Sequence, residues 1–194
     1  MKQGVLSLHD PNGERNYLNE KERIRFLKEA RAQPLNTRLF CLLLFYTGAR
    51  IAEVHNLTAK CLDASNGSLI IETLKRRKKG IFREIPIPES LQKEFMRHVQ
   101  ENQLLPTDHL WSFSIRTASR QIKEVMNSAN IFGVRSSAKG LRHGFAVNAV
   151  NKDTLTLVKK WLGHSKLETT EIYLNILGAE EREIAQKIWE MEGI

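Results

Sequence analysis

The residues best suited to chemistry stand in four places along the chain. Arg50 lies in Thr47-Gly-Ala-Arg50-Ile-Ala-Glu53, just after a glycine break. Arg142 lies in Lys139-Gly-Leu-Arg142-His143. His164 follows in Leu162-Gly-His164, and Tyr173 comes nine residues after that histidine. A guanidinium stays charged at neutral pH, and its planar fork matches two oxygens of a phosphate. Ammonium and imidazole groups add further donors. A phenol is a weak nucleophile near neutrality and needs positive surroundings. Two arginines, added cationic or imidazole donors and one tyrosine suit phosphoryl transfer from a DNA backbone to a phenol oxygen, with side-chain cations doing a metal's electrostatic work.

No single member of the set is diagnostic. Alone, Arg50 reads as a surface arginine paired with Glu53 three residues on. Arg142-His143 reads as the solvated face of a helix. His164 reads as a helix-ending histidine bound to carbonyls, and Tyr173, in Ile172-Tyr-Leu174, as a core tyrosine. The specific signal is the ordered set with its nine-residue interval. It resembles the catalytic domain of the tyrosine recombinases, the phage-integrase family, from about Tyr17 to about Leu177.

The resemblance assigns roles. It implies that Arg50 contacts the scissile phosphate, with Glu53 in support, and that Arg142 is the second clamp. The family pattern places a histidine or another basic residue three positions before that arginine, and here it is Lys139. A lysine donates to a phosphate oxygen but does not readily exchange a proton at neutral pH, so Lys139 is expected to stabilise charge. His164 is implied as a phosphate donor and Tyr173 as the nucleophile.

The run Lys75-Arg-Arg-Lys-Lys-Gly-Ile-Phe-Arg83 places six cations in nine residues. By itself a cationic turn is a solvated loop that also protects a sheet edge. In the family a lysine on this hairpin protonates the leaving 5′ oxygen. Lys75 and Lys78 compete for that role, and a strand end holds a side chain more firmly than a turn, which favours Lys75. Arg76, Arg77, Lys78, Lys79 and Arg83 are expected to contact DNA.

Composition bounds the rest. The 194 residues suffice for one domain with a full core. Hydrophobic content of 41% and charged content of 27% are those of a globular chain. The longest dense apolar stretch, Leu39 to Tyr46, is far too short to span a membrane. The N-terminus lacks the long apolar region of a secretory signal, so a cytoplasmic protein is expected. Cys41 and Cys61 lack metal-type spacing and are expected to be reduced thiols. The net charge of +8 and isoelectric point near 9.6 favour a polyanionic partner.

Residues 1–16 read as a tail or surface arm, with a turn at Asp10-Pro-Asn-Gly13. Residues 17–194 read as one domain. Asn19 and Glu22 form a capping-box pattern before a helix whose apolar side is expected to hold Ile24, Leu27 and Ala30. Residues 35–47 are apolar nearly all round, which predicts a buried helix ended by Gly48. A short helix is expected from about Arg50 to Leu57. Ser68 to Leu74 and Ile81 to Ile87 read as an antiparallel strand pair. Helices are expected near 89–104, 114–130, 139–150, 154–162, 167–176 and 179–192.

The expected fold is mainly α with a small antiparallel β-sheet, like the family's catalytic domain. The resemblance implies a site-specific DNA recombinase that cuts and rejoins strands through a 3′-phosphotyrosyl link. It implies double-stranded DNA as partner, a homotetramer on DNA, and no metal, nucleotide or other small-molecule cofactor. Most relatives carry a separate N-terminal domain that closes around DNA. Here the match begins near residue 17, which implies a compact member or part of a longer chain. Two other classes share the pattern: a type IB topoisomerase-like enzyme, and a DNA-binding regulator on the same scaffold. Ile184, Ala185, Ile188 and Trp189 form an apolar stripe that packs either on its own domain or on a neighbouring subunit.

Overall fold

The structure, a computed structural model, describes residues 8–74, 80–150, 155–164 and 170. The expected helix at 167–176 apart from Thr170, the expected helix at 179–192 with its apolar stripe, the hairpin tip 75–79 and Tyr173 lie outside them.

Helix α1, Glu20–Arg31, begins as the sequence predicts. Asn19 Oδ1 accepts the Glu22 N–H at 2.9 Å, and the Glu22 carboxylate accepts the Asn19 N–H at 2.9 Å. This satisfies two backbone donors that a helix start leaves without partners. The buried side of α1 keeps Ala30 and packs Leu27 on the core as expected, but it carries Glu22, Arg23 and Phe26 in place of Ile24, which is 62% exposed. Phe26 stacks on Phe45 of the next helix, and the Arg23 guanidinium lies 4.2 Å from the centre of the same ring. A cation over an aromatic face covers apolar surface as a leucine would. This orients α1 with Phe26 inward and turns Ile24 away.

Helix α2, Leu35–Thr47, is the axis of the fold. Its residues from Leu39 to Phe45 are all buried. It packs against α1, against the short α3 (Ile51–His55), and against α4 (Glu89–Glu101), α5 (Ile115–Ser128) and α6 (Ala138–Val150). Gly48 ends it in the left-handed region, at φ 59°. A Cβ there would also overlap the Phe145 ring, so both conformation and space call for glycine.

Three antiparallel strands, β1 (Leu62–Asp63), β2 (Ser68–Glu72) and β3 (Phe82–Pro86), form a sheet in that order. The expected pair is thus extended by a two-residue third strand. Leu69 faces Ile85 and Ile71 faces Arg83 across β2 and β3. The inner face is Leu69, Ile71, Arg83 and Ile85, all buried. Helix α7, Leu155–Leu162, closes the described part and packs on α6 and β3.

Residues 8–16, read from sequence as a tail, fold back as a compact turn. Asp10 accepts the Asn12 and Glu14 N–H groups at 2.9 and 2.8 Å. Leu8 is buried with Phe145, Val147, Val158 and Leu162 of α6 and α7. Both cysteines are free thiols, and burial pushes the Cys41 thiol up to about 12. Among the described residues no helix is long and apolar enough to cross a membrane.

Candidate active site

The site lies where α2 ends, α7 ends and α6 passes between them. After Gly48 the chain runs extended through Arg50, at φ −73° and ψ 149°, before α3 starts. Glu53 sits in the first turn of α3 and reaches back. Its Oε2 accepts the Arg50 N–H at 2.9 Å, and its Oε1 accepts Arg50 Nη1 at 2.8 Å. Arg83 of β3 donates to the same carboxylate at 2.6 Å. Burial raises the Glu53 pKa, but the Arg83 charge and hydrogen bond, joined by Arg50, hold it below the usual carboxylate range. One negative charge therefore serves two guanidiniums, and 26% of the Arg50 side chain stays accessible to a ligand.

Arg142, on α6, is held by main-chain carbonyls. Its Nη1 donates to Gly48 O at 2.7 Å, and its Nη2 donates to Leu162 O at 2.8 Å. Both acceptors lie at helix C-termini, where carbonyls lack helical partners and the helix dipole is negative. Two helix ends thus grip one cation.

The end of α7 sets His164. Gly163 N–H donates to Lys160 O at 3.1 Å and His164 N–H to Lys159 O at 3.2 Å, with Gly163 at φ 67°. This is a Schellman ending, and it requires the left-handed residue that Gly163 supplies. It turns the His164 ring onto Arg142, whose Nη2 lies 3.1 Å from Nε2. Arginine only donates, so Nε2 is the acceptor and Nδ1 carries the proton. That proton goes to Thr170 Oγ1 at 2.9 Å. Burial, then the charges of Arg142 and Arg50, then His143 and Arg83, depress the His164 pKa to about 3. The ring is neutral at pH 7.

His143 is also buried, and burial with the Lys139 and Arg142 charges lowers it to about 4. Lys139 stands exposed in the first turn of α6, one turn from Arg142 and His143.

The structure therefore brings Arg50, Arg142 and His164 into one electrostatic neighbourhood, with the Lys139 charge felt at His143. Lys75, Arg76, Arg77, Lys78, Lys79 and Tyr173 lie outside the described residues. Arg83 departs from the expectation. It was grouped with the DNA-facing cations, but it is 7% exposed and its guanidinium is committed to Glu53, Thr73 and Trp161 O. The reason is strand alternation: Arg83 shares the inner face of the sheet with Ile85. Sequence reasoning also passed over Thr170 and Thr73. For Arg83 the period-two run Ile81, Arg83, Ile85, Ile87 was the available signal. Among the described residues, no group of three or more His, Cys, Asp or Glu side chains is placed to hold a metal ion.

This arrangement gathers cations and polar side chains at the ends of α2 and α7, as stabilisation of a phosphoryl-like anion requires. The sequence model of the phage integrase family matches residues 16–180, most of the chain. The chain belongs to the phage integrase family. Within it, the chain is 27% identical over 182 residues to tyrosine recombinase XerA of Pyrococcus furiosus, covering 88% of this chain and 60% of that protein. It is 29% identical to tyrosine recombinase XerD of Shewanella oneidensis, covering 94% of this chain and 63% of that one. It thus spans about three-fifths of the length of these integrase-family relatives. Its fold is similar to that of crystalline XerA, with a TM-score of 0.73 at 23% identity, covering 88% of this chain and 64% of that one. It is also similar to XerH bound to palindromic difH substrate in a post-cleavage complex, with a TM-score of 0.78 at 23% identity. That match covers 98% of this chain and 58% of that one.

Proposed function

We propose that this chain carries the catalytic domain of a site-specific DNA recombinase. The observation that carries the reading is the placement of Arg142, 3.1 Å from His164 Nε2 and bonded to Gly48 O, two residues before Arg50. Family membership supports it, as do the relatives named as tyrosine recombinases and the XerH structures with difH substrate.

In this reading Tyr173 gives up its phenol proton to water and attacks the scissile phosphorus, forming a 3′-phosphotyrosyl bond as the bond to the 5′ oxygen breaks. Lys75 supplies the leaving oxygen with a proton. Arg50 and Arg142 hold the non-bridging oxygens as charge builds on them, and Lys139 adds positive potential. The neutral His164 ring orients Arg142 through its Nε2 lone pair, and it serves as a phosphate donor only once Nε2 takes up a proton and that contact opens. The 5′ hydroxyl of a second strand then attacks phosphorus and releases Tyr173. The phosphodiester energy is kept in the covalent link, so the cycle needs no nucleotide cofactor. Integration, excision, inversion and resolution all use two DNA sites, which fits a homotetramer on DNA. Of the hairpin cations, Arg76, Arg77, Lys78 and Lys79 are the proposed backbone contacts.

The test is covalent capture. Inverted repeats in DNA flanking the gene supply candidate substrates, used as nicked duplexes. On a denaturing gel the wild type forms a slow-migrating adduct in excess EDTA, and Tyr173→Phe forms none while still binding DNA. An adduct that persists in the variant removes Tyr173 from the nucleophile role. A divalent-metal requirement overturns the mechanism. Relaxation of supercoiled plasmids lacking such repeats, at the rate seen with them, points instead to a topoisomerase-like activity.

A further inference from the structure

Arg83 is buried and charged, and its guanidinium meets three separate elements. Its Nη2 donates to Glu53 Oε2 at 2.6 Å, in α3. Its Nη1 donates to Thr73 Oγ1 at 2.9 Å, just past the end of β2. Its Nε donates to Trp161 O at 2.7 Å, near the end of α7. The side chain is 5% exposed and that of Glu53 fully enclosed. A Cβ on Gly163 would come within 3.2 Å of Arg83 Nη1 and 3.1 Å of Thr73 Oγ1. The guanidinium thus lies directly beneath the turn that presents His164. It also holds the carboxylate that holds Arg50, and its strand is paired with the one that leads into residues 75–79.

We propose that Arg83 is a positioning residue, which fixes the Glu53–Arg50 pair at a set separation from the His164 turn and ties the β2–β3 strand pair to both. The inference rests on the reading of Arg50 and His164 as phosphate ligands. A planar fork with three donor directions suits the task, because each direction meets an acceptor on a different element. A lysine at this position keeps the charge but reaches only part of that set. A displacement of about 1 Å in a catalytic group can cost about 10²-fold in rate, so a strut between two ligands acts on the chemistry without touching DNA.

The test compares Arg83→Met, Arg83→Lys and Thr73→Val with the wild type. The first readout is the imidazole ring resonances of His164 in the protein alone, by NMR, with His98 as internal control. His98 bonds Leu110 O and belongs to another region. The expected result is a shift of the His164 signals in all three variants, smallest in Thr73→Val, with His98 unmoved. The second readout is single-turnover adduct formation on a nicked duplex. Arg83→Met and Arg83→Lys should each lose about 10²-fold in rate, while DNA affinity changes by less than about threefold. Unmoved His164 signals in the folded variants overturn the proposal. So does full recovery of rate in Arg83→Lys, which would assign the effect to charge alone. Equal losses of binding and cleavage make Arg83 a core strut and also overturn it. If both Arg83 variants fail to fold, Thr73→Val decides by the same His164 shift. A wild type that forms no adduct defeats the recombinase reading, while the NMR comparison still judges Arg83.

Discussion

Two buried carboxylates in this molecule are built alike and sit in different places. Glu22 accepts the N–H of its own N-cap residue, Asn19, and pairs with Arg15 and Arg135 at 3.2 and 2.9 Å. Glu53 accepts the N–H of Arg50 and pairs with Arg50 and Arg83 at 2.8 and 2.6 Å. Each joins a helix start to two guanidiniums. The difference lies in the arginines. Arg15 and Arg135 keep 30% and 24% of their side chains exposed. Around Glu53, Arg83 is sealed in and only Arg50 reaches solvent. The Glu22 cluster ties the N-terminal turn to the segment before α6. The Glu53 cluster ends in one accessible cation beside His164. The same ion-pair design therefore serves as a clasp in one region and as a mount for one solvent-accessible guanidinium in the other.

Removing each carboxylate separates the two uses most widely. Glu53→Gln leaves Arg83 buried without its counter-charge, which costs about 3–5 kcal/mol. Arg50 also loses its anchor, so adduct formation per folded molecule should fall by about 10² or more. Glu22→Gln leaves two arginines that can turn to water, and should cost about 1–3 kcal/mol. Its adduct yield per folded molecule should match the wild type. Thermal melting together with a nicked-duplex assay reads both, and equal cleavage losses in the two variants would erase the distinction.

At the next level, Arg50→Ala should slow cleavage by about 10²–10³ with little change in binding, as for loss of one preorganised donor. Arg15→Ala should leave cleavage unchanged. Single-turnover rates on one substrate make the comparison.

Acid gives a smaller but diagnostic contrast. His143 and His164 have folded pKa values of about 4 and about 3, below the ordinary 6.5. The unfolded chain therefore binds more protons below pH 6.5, and stability falls as pH drops from there towards 3. Glu22 and Glu53, both lowered from 4.5, lose their contribution only below that value. Between pH 6.5 and 4.5 the site region should loosen while the Glu22 region holds. Amide hydrogen exchange across that range, corrected for intrinsic rates, should show falling protection in α6 and α7 before α1.

The smallest effect concerns Thr170. Thr170→Val removes the acceptor for His164 Nδ1–H and should relax the ring tautomer, lowering cleavage by about tenfold. Nitrogen-15 shifts of the ring report the tautomer directly, and an unchanged Nδ1–H signal would dismiss Thr170 as its orienter.

The contrast also explains what the sequence made legible. Arg50, Arg142 and His164 could be picked out because the proposed phosphate ligand set demands particular residue types at ordered intervals. Glu53 was visible as an i,i+3 neighbour of Arg50. Arg83 was misread because it closes a run of six cations, and charge density outweighed the strand alternation that turns it inward. On α1 only Ile24 departs, for a related reason: apolar spacing pointed to it, while Arg23 reaches the core through its contact with Phe45. Thr170 gave no signal, since nothing in a threonine six residues after a histidine foretells a hydrogen bond. Helix starts and ends were close to expectation where a cap residue fixed them, as at Asn19, Gly48 and Ser114.

The grip on Arg142 has an evolutionary consequence. Gly48 O and Leu162 O, two acceptors that hold it, belong to the backbone, which every sequence possesses. Mutation of the side chains at those acceptor positions cannot delete the oxygens. What inheritance must preserve is the path of the chain at two helix ends, and that duty falls on Gly48 and Gly163, whose left-handed conformations few other residues adopt. The surrounding side chains are then free to drift between lineages while the guanidinium keeps its seat. A cation anchored in this way should tolerate wide divergence around it and little at two glycines that touch no substrate.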